Sequence, residues 1–412
     1  MKSEKRKVKS EKIAGAVTVK PPSKIFATIM LPIVRLYLWL TLKIKKTDNL
    51  GGLKGPFVVL CNHQAPLDIF MMYSALYPRT ISTLTAHDIL TWGALRPFTP
   101  LLGLIPKNQN AMDLNAIRLL KNIVLRGGNV CIYPEGKMSL DGTGLHHIGP
   151  AIVKLLKFLD VPVVMHTVKG LFNASSRINM HKSRGRVYQS LDILFTKEDL
   201  KTLSADEVYR KTVEALTFND CLFQKRNNLH YKSRRPAKGL DMVLYMCPKC
   251  GELYTIYTTK THIKCSACGN SVRVIDYGDF VADAGSVTPE RLDLWYAMQR
   301  KSVRDAVSCT GFCINNPVEA YVMEDKKYRK MGEGELIIDD ENIRYVGTRD
   351  GAEVAMSFPL KTRVTIMMHE IGTVDFTEGA DVLRFHFKDN KHAAQYGLIV
   401  EEKFRYLNGL DN

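Results

Sequence analysis

The sequence predicts an α/β protein, a mixed sheet flanked by helices, joined to a small cysteine-knuckle module and a C-terminal β-rich, barrel-like domain. Three observations carry this. Short apolar, β-branched runs ending in polar loops alternate with helical patterns through the first half of the chain, the order that builds a layered sheet. Two Cys-x2-Cys pairs follow at close spacing, and residues 331–412 break into short strand-like runs between turn signals. A chain of 412 residues, 45% hydrophobic, has room for two or three domains, each with its own core.

The first elements are an arm and a helix. Net charge is +16, and residues 1–50 hold twelve Lys or Arg against three acids. Residues 1–24 read as a basic, disordered arm, with Lys2, Lys5, Arg6, Lys7, Lys9 and Lys12 at its start. Such an arm is drawn to anionic lipid head groups, although nucleic acid would attract it too and a plain solubilising tail has the same composition. Ile25 to Leu42 is an eighteen-residue apolar stretch interrupted by Pro32 and Arg35. That length is near the lower limit for a span and a central arginine is costly there, so residues 25–46 are expected as a helix lying in one leaflet. Tyr37 and Trp39 suit the interface, and lysines flank both ends, so no crossing direction is implied. The alternative is a soluble helix packed on the core.

Phe57-Val58-Val59-Leu60, after Gly55-Pro56, reads as a central strand that delivers Cys61-Asn62-His63-Gln64-Ala65-Pro66-Leu67-Asp68 to the sheet edge where α/β proteins bind ligands. An imidazole five residues ahead of a carboxylate is the layout of a base and its orienter: His63 could take a proton from a hydroxyl while Asp68 fixes its tautomer. Gly103-Leu104-Ile105-Pro106-Lys107 follows. Asp113 can cap a helix running to about Arg126, ended by Gly127-Gly128. Val130-Cys131-Ile132-Tyr133 is a second buried strand, ending in Pro134-Glu135-Gly136-Lys137-Met138-Ser139. Ile148 to Leu159 is a helix feeding the strand Val161–Met165, and Ser204-Ala205-Asp206-Glu207 is a capping box opening a helix through about Leu216.

The His-x4-Asp, Gly-x-Ile, Pro-Glu-Gly-x-x-Ser and Val-Pro-Val blocks, in this order, resemble the glycerolipid acyltransferase family over residues 25–240. The resemblance implies an acyltransferase domain, placed at 47–240, that moves a fatty acyl group from acyl-CoA or acyl-carrier protein to a lipid hydroxyl without an acyl-enzyme. The implied acceptor is a lysophospholipid such as 1-acylglycerol-3-phosphate. His63 would be the general base and Asp68 its partner, with Glu135, Gly136 and Ser139 in the acceptor block. The family's Glu-Gly-Thr-Arg-Ser is here Glu135-Gly136-Lys137-Met138-Ser139, so the arginine assigned to the acceptor phosphate is missing. Lys137 and Lys107 could stand in as point charges without the arginine fork. The basic arm and the apolar helix, with no cleavable signal, place such an enzyme at the cytoplasmic face of the cell membrane, peripheral or monotopic.

The strongest motif beyond these is Cys247-Pro248-Lys249-Cys250-Gly251 and, after fourteen intervening residues, Cys265-Ser266-Ala267-Cys268-Gly269. Two such knuckles specify a tetrahedral thiolate site, and thiolates favour zinc, here a closed structural Zn2+ in a zinc ribbon at 241–280. Disulfides and a rubredoxin-like iron site are the alternatives. Ribbons also occur in nucleic-acid machinery, but Lys249, Lys260 and Lys264 make too thin a basic face for that partner. A helical connector is expected at 281–330, with a helix from Pro289 to Val307. In 331–412, Leu336–Ile338 and Ile343–Val346 form a hairpin, strands follow at 354–358, 364–368, 373–376 and 382–387, and a helix runs from Lys391 to Leu407. This pattern resembles a pleckstrin-homology-like domain. A second reading of the whole chain is a catalytically altered acyltransferase fold serving as a zinc-ribbon scaffold.

Overall fold

The computed structural model describes residues 21–86, 99, 101–107, 113–144, 147–178, 183–324, 327–368, 372–379 and 381–410, so nearly all of the expected basic arm lies outside the described residues. Its first element is helix α1 (Lys24–Thr41), capped by Ser23, whose hydroxyl accepts from the Phe26 amide. Only Leu31 and Leu38 of α1 are buried, while Ile25, Ile29, Ile33, Leu36, Trp39 and Leu40 face outward. It is the one helix among the described residues that is long and apolar enough to cross a membrane, judged by length and composition. The helix stops at Thr41, and residues expected in its tail form strand β1 (Lys43–Asp48) instead. Its three lysines and Asp48 are exposed and Ile44 alone is half-buried, which suits a sheet edge.

β1 is the edge of a seven-stranded sheet made with β2 (Val58–Cys61), β3 (Ile81–Ala86), β4 (Leu104–Lys107), β5 (Asn129–Ile132), β6 (Val163–Lys169) and β7 (Arg186–Phe195), in the order β1-β7-β6-β2-β5-β3-β4. Strands β2 to β6 are mutually parallel, and β7 turns antiparallel to β6. The carboxyl ends of the parallel strands therefore share one edge. β2 is buried along its whole length, and its side chains alternate between two cores. Val58 and Leu60 meet helices α3 (Leu114–Leu125), α4 (Ala151–Leu159) and α7 (Ala205–Leu216), whereas Val59 and Cys61 meet α1 and helix α2 (Asp68–Leu76). Three shorter helices, α5 (Leu171–Ser175), α6 (Lys197–Thr202) and α8 (Asp220–Arg226), complete this layer. The caps follow the sequence signals: Asp113 accepts from the Ala116 amide, and Ser204 and Glu207 form a reciprocal capping box.

Beyond it, β8 (Ile256–Thr258), β9 (His262–Cys265), β10 (Ser271–Asp276) and β11 (Asp279–Ala282) form a small antiparallel sheet around the four cysteines. Helix α9 (Leu292–Val307) leads to the C-terminal sheet, β12 (Ile314–Glu324), β13 (Lys327–Ile338), β14 (Asn342–Arg349), β15 (Ala352–Pro359), β16 (Thr373–Glu378) and β17 (Asp381–Phe387), closed by helix α10 (His392–Leu407). Its order, β15-β14-β13-β12-β17-β16, leaves β15 and β16 as free ends, an antiparallel half-barrel. The expected hairpin is present, Ile338 opposite Ile343. Two expectations shift. Strand β12 lies inside the stretch expected as connector, because its register with both β13 and β17 makes it central to the sheet. Residues 364–368 pair only through a bridge from Met367 to Asp375, since Ile366 and Met367 are buried and the Thr365 hydroxyl is directed to Glu401 of α10.

Helix α9 ties the modules together. Its Trp295 indole donates to the Met246 carbonyl, and its Gln299 amide bridges the Tyr245 amide and the Val243 carbonyl just before the first knuckle. On its other side Arg300 pairs with Glu401 and Glu402, and Arg304 with Glu402, all on α10. One apolar cluster runs from Leu38 and Phe172 through Tyr245 and Trp295 to Phe385 and Tyr396, so the three sheets share a continuous packed interior.

Candidate active site and metal site

His63 leaves the end of β2 and Asp68 opens α2, so the turn between them folds the carboxylate back under the imidazole. The Asp68 Oδ2 atom lies 2.8 Å from His63 Nδ1 and also accepts the Gln64 and Ala65 amides at 2.6 and 2.9 Å. A carboxylate holding two backbone N–H groups is fixed as an acceptor, so the Nδ1 nitrogen carries its proton toward Asp68 and Nε2 is left with its lone pair. Asp68 is buried, whereas the His63 side chain keeps 23% exposure. Tyr133 flanks the ring at 4.5 Å between centroids.

The loop after β5 is stitched to the loop after β2. Glu135 Oε1 accepts the His63 amide at 2.9 Å, and the Ser139 amide donates to the His63 carbonyl at 2.9 Å. Gly136 has φ +71, the left-handed turn conformation that lets Glu135 point back at His63, and a side chain there would be strained. Burial pushes the Glu135 carboxyl well above the usual carboxylate range, and its Oε2 has no hydrogen-bond partner among the described residues. The Ser139 hydroxyl does not face the site: it is fully buried, donating to Asp141 Oδ1 and accepting the Gly142 amide. It braces the loop.

Lys137 and Lys107 part company. Lys137 is buried and pairs with Glu401 of α10, in a pocket that Glu135, His147, Arg300, Thr365 and Arg405 also line. Lys107 ends β4, three strand positions from β2, roughly 14 Å away at the usual strand spacing. Burial lowers its pKa, opposed by Asp113. Arg300 and Glu401 carried no sequence signal. Each is an ordinary charge on an amphipathic helix, and only the fold brings them to a loop more than 160 residues upstream in the chain.

The four knuckle cysteines converge. Their sulfurs all lie within 4.8 Å of one another, with Cys247 and Cys268 at 3.7 Å and Cys250 and Cys265 at 3.8 Å. Metal–sulfur bonds of about 2.3 Å in a tetrahedron set sulfurs about 3.8 Å apart, so the group fits a metal ion. Gly251 and Gly269, at φ +77 and +70, turn the chain behind each pair. The other cysteines are free thiols.

Residues 41–169 match the family model described as Acyltransferase, from just before β1 to the end of β6. This stretch is an acyltransferase-family domain, and it contains His63, Asp68, Lys107, Glu135, Gly136, Lys137 and Ser139. Among solved structures, the chain is similar to the 1-acyl-sn-glycerophosphate (LPA) acyltransferase, PlsC, from Thermotoga maritima, at 19% identity and a TM-score of 0.38. That similarity covers 46% of this chain and 77% of the other. No curated protein matches the chain.

Proposed function

We propose that the protein is an O-acyltransferase that moves a fatty acyl group from acyl-CoA or acyl-carrier protein to the hydroxyl of a lysophospholipid, 1-acylglycerol-3-phosphate being the acceptor that fits best. The observation that carries this reading is the 2.8 Å contact between His63 Nδ1 and a buried Asp68 already holding two backbone amides, inside an acyltransferase-family domain. His63 Nε2 takes the proton of the acceptor hydroxyl, and the oxygen attacks the thioester carbonyl. The tetrahedral intermediate then expels the thiolate, which recovers the proton from the imidazolium. Asp68 stabilises that imidazolium, and no nucleophilic serine or cysteine takes part.

Catalysis occurs at the cytoplasmic face of a membrane. The support is α1, whose outward residues Ile25, Ile29, Ile33, Leu36 and Leu40 recur at helical spacing and present one apolar stripe that the described residues leave uncovered. The stripe lies in one leaflet, and the basic arm ahead of it adds attraction to anionic lipid. The knuckle cysteines hold zinc. With four thiolates and no open position, Cys247, Cys250, Cys265 and Cys268 would give it a structural role, fixing the strands that α9 leans on.

The test is acyl transfer from labelled acyl-CoA and acyl-carrier protein to lysophospholipids and neutral alcohols, on vesicles containing anionic lipid. Transfer to a lysophospholipid is expected. Failure with every donor and acceptor would overturn the enzymatic reading and leave the scaffold alternative.

A further inference from the structure

The acyltransferase block lacks its expected arginine, Met138 standing in its place, yet an arginine is present next to Lys137. Arg300 reaches it from α9, outside the family-matched residues. Between the two lies a carboxylate. Glu401 of α10 is held by Lys137 Nζ, by Arg300 Nη2 at 2.9 Å and by the Thr365 hydroxyl at 2.9 Å. These three donors come from three separate modules of the chain: the loop after β5, helix α9 and the segment after β15. A lysine, one edge of a guanidinium and a hydroxyl converging on two oxygens form a cradle for an oxyanion. The pocket around it is lined by Arg405 and His147, and also by Glu135, whose Oε1 holds the His63 amide. Glu135 therefore links the wall of the cradle to the backbone of the residue that carries the base.

We infer that this composite cradle is the subsite for the phosphate of the acceptor, with Arg300 as the replacement for the missing arginine and Glu401 as an internal carboxylate that the phosphate must displace. The inference rests on the acyltransferase reading for its setting beside His63, but not for the binding it predicts. Arg300 is suited to the exchange. Its Nη1 is fixed by Glu402 at 2.7 Å, which orients the guanidinium, while Nη2 donates to Glu401 at 2.9 Å. Glu402 is held independently by Arg304 at 2.8 Å. Removing the Glu401 carboxylate thus leaves Lys137, Nη2 of Arg300 and Thr365 in position for an anion of higher charge. Occupation by Glu401 scales apparent affinity down to the fraction of time the cradle is open. It also couples acceptor entry to the seating of the half-barrel, since Glu401 belongs to its closing helix.

The experiment uses the full-length protein, with binding of a lysophosphatidate, of glycerol 3-phosphate and of inorganic phosphate measured by calorimetry in the absence of an acyl donor. Glu401→Gln removes the charge, keeps an acceptor oxygen for Lys137 and Thr365, and turns an N–H donor toward Arg300, which loosens its hold on the cradle. It is expected to bind the phosphate esters at least ~10-fold more tightly than the wild type. Thr365→Val and Arg300→Lys, each combined with Glu401→Gln, should abolish that gain, and thermal unfolding of each variant reports whether it folds. A gain for the lysophosphatidate and glycerol 3-phosphate assigns the cradle to the acceptor head group. A gain confined to inorganic phosphate, or equal affinity in wild type and Glu401→Gln, overturns the inference. Because binding is read without turnover, it can fail while acyl transfer succeeds, or hold while transfer fails.

Discussion

The two halves of the candidate site are built in opposite ways. His63 and Asp68 are five residues apart, joined by one turn at the end of a central strand, and the carboxylate on Nδ1 and the amides that hold it come from residues 64–68. The proposed anion cradle joins Lys137, Arg300, Thr365 and Glu401, with 264 residues of sequence separation between Lys137 and Glu401. A proton-transfer group needs a fixed tautomer and little else, which a short loop on a rigid sheet can supply. Head-group recognition needs several converging charges, and their mutual positions depend on how whole modules pack. Chemistry and selectivity should therefore fail separately.

The largest effect that tests this separation is expected at Asp68. Asp68→Asn keeps the volume but removes the negative charge that fixes Nδ1–H, so kcat for acyl transfer should drop ~100-fold or more with little change in acceptor KM. A rise in KM at constant kcat would mean that Asp68 serves binding. The metal site probes the other half. Cys250→Ser, or chelation of the full-length protein, should release bound metal and lower the Tm by ~5 °C or more, because the segment before Cys247 anchors α9 through Trp295 and Gln299. Any residual transfer should then lose its preference for phosphate-bearing acceptors before it loses kcat; an unchanged preference would detach the metal from Arg300.

A smaller effect separates the two lysines. Lys137→Gln should raise KM for 1-acylglycerol-3-phosphate ~10-fold, the value of one charged hydrogen bond, while Lys107→Gln should leave it within about twofold. Equal effects would put the head group between them and contradict the strand order. The smallest concerns Glu135, whose carboxyl is raised by burial. A group raised in the folded state favours folding most below the ordinary carboxylate range, and that contribution is lost as pH rises toward the raised value. Thermal unfolding across that interval should show stability falling with pH in the wild type and a flatter profile in Glu135→Gln. Parallel profiles would mean that Glu135 ionises at the usual pH.

What could be read from the chain follows the same division. Local signals were legible: the Asp113 cap, the Ser204 capping box, the Ile338–Ile343 hairpin and the two cysteine knuckles each rest on residues within one turn or one short loop. So were the His63 and Asp68 pair and the strands that end beside it. Strand β7 was not, because Tyr188, Gln189, Ser190 and Asp192 break up its apolar residues until the last three, and its place between β6 and β1 makes the alternation a strand. β1 was absorbed into the apolar helix before it because its lysines resemble a membrane-flanking cluster. Arg300 and Glu401 belong to helices whose outward charges look solvated until α9 and α10 pack together. Ser139, named for its motif, turned out to brace the loop through Asp141 and Gly142.

The central claim is that His63 removes the acceptor proton. It is tested most directly by the kcat of acyl transfer from labelled acyl-CoA to 1-acylglycerol-3-phosphate, His63→Ala beside wild type at matched, saturating acceptor. The account predicts a fall of at least ~100-fold with bound metal and Tm retained; equal kcat in the two proteins would contradict it.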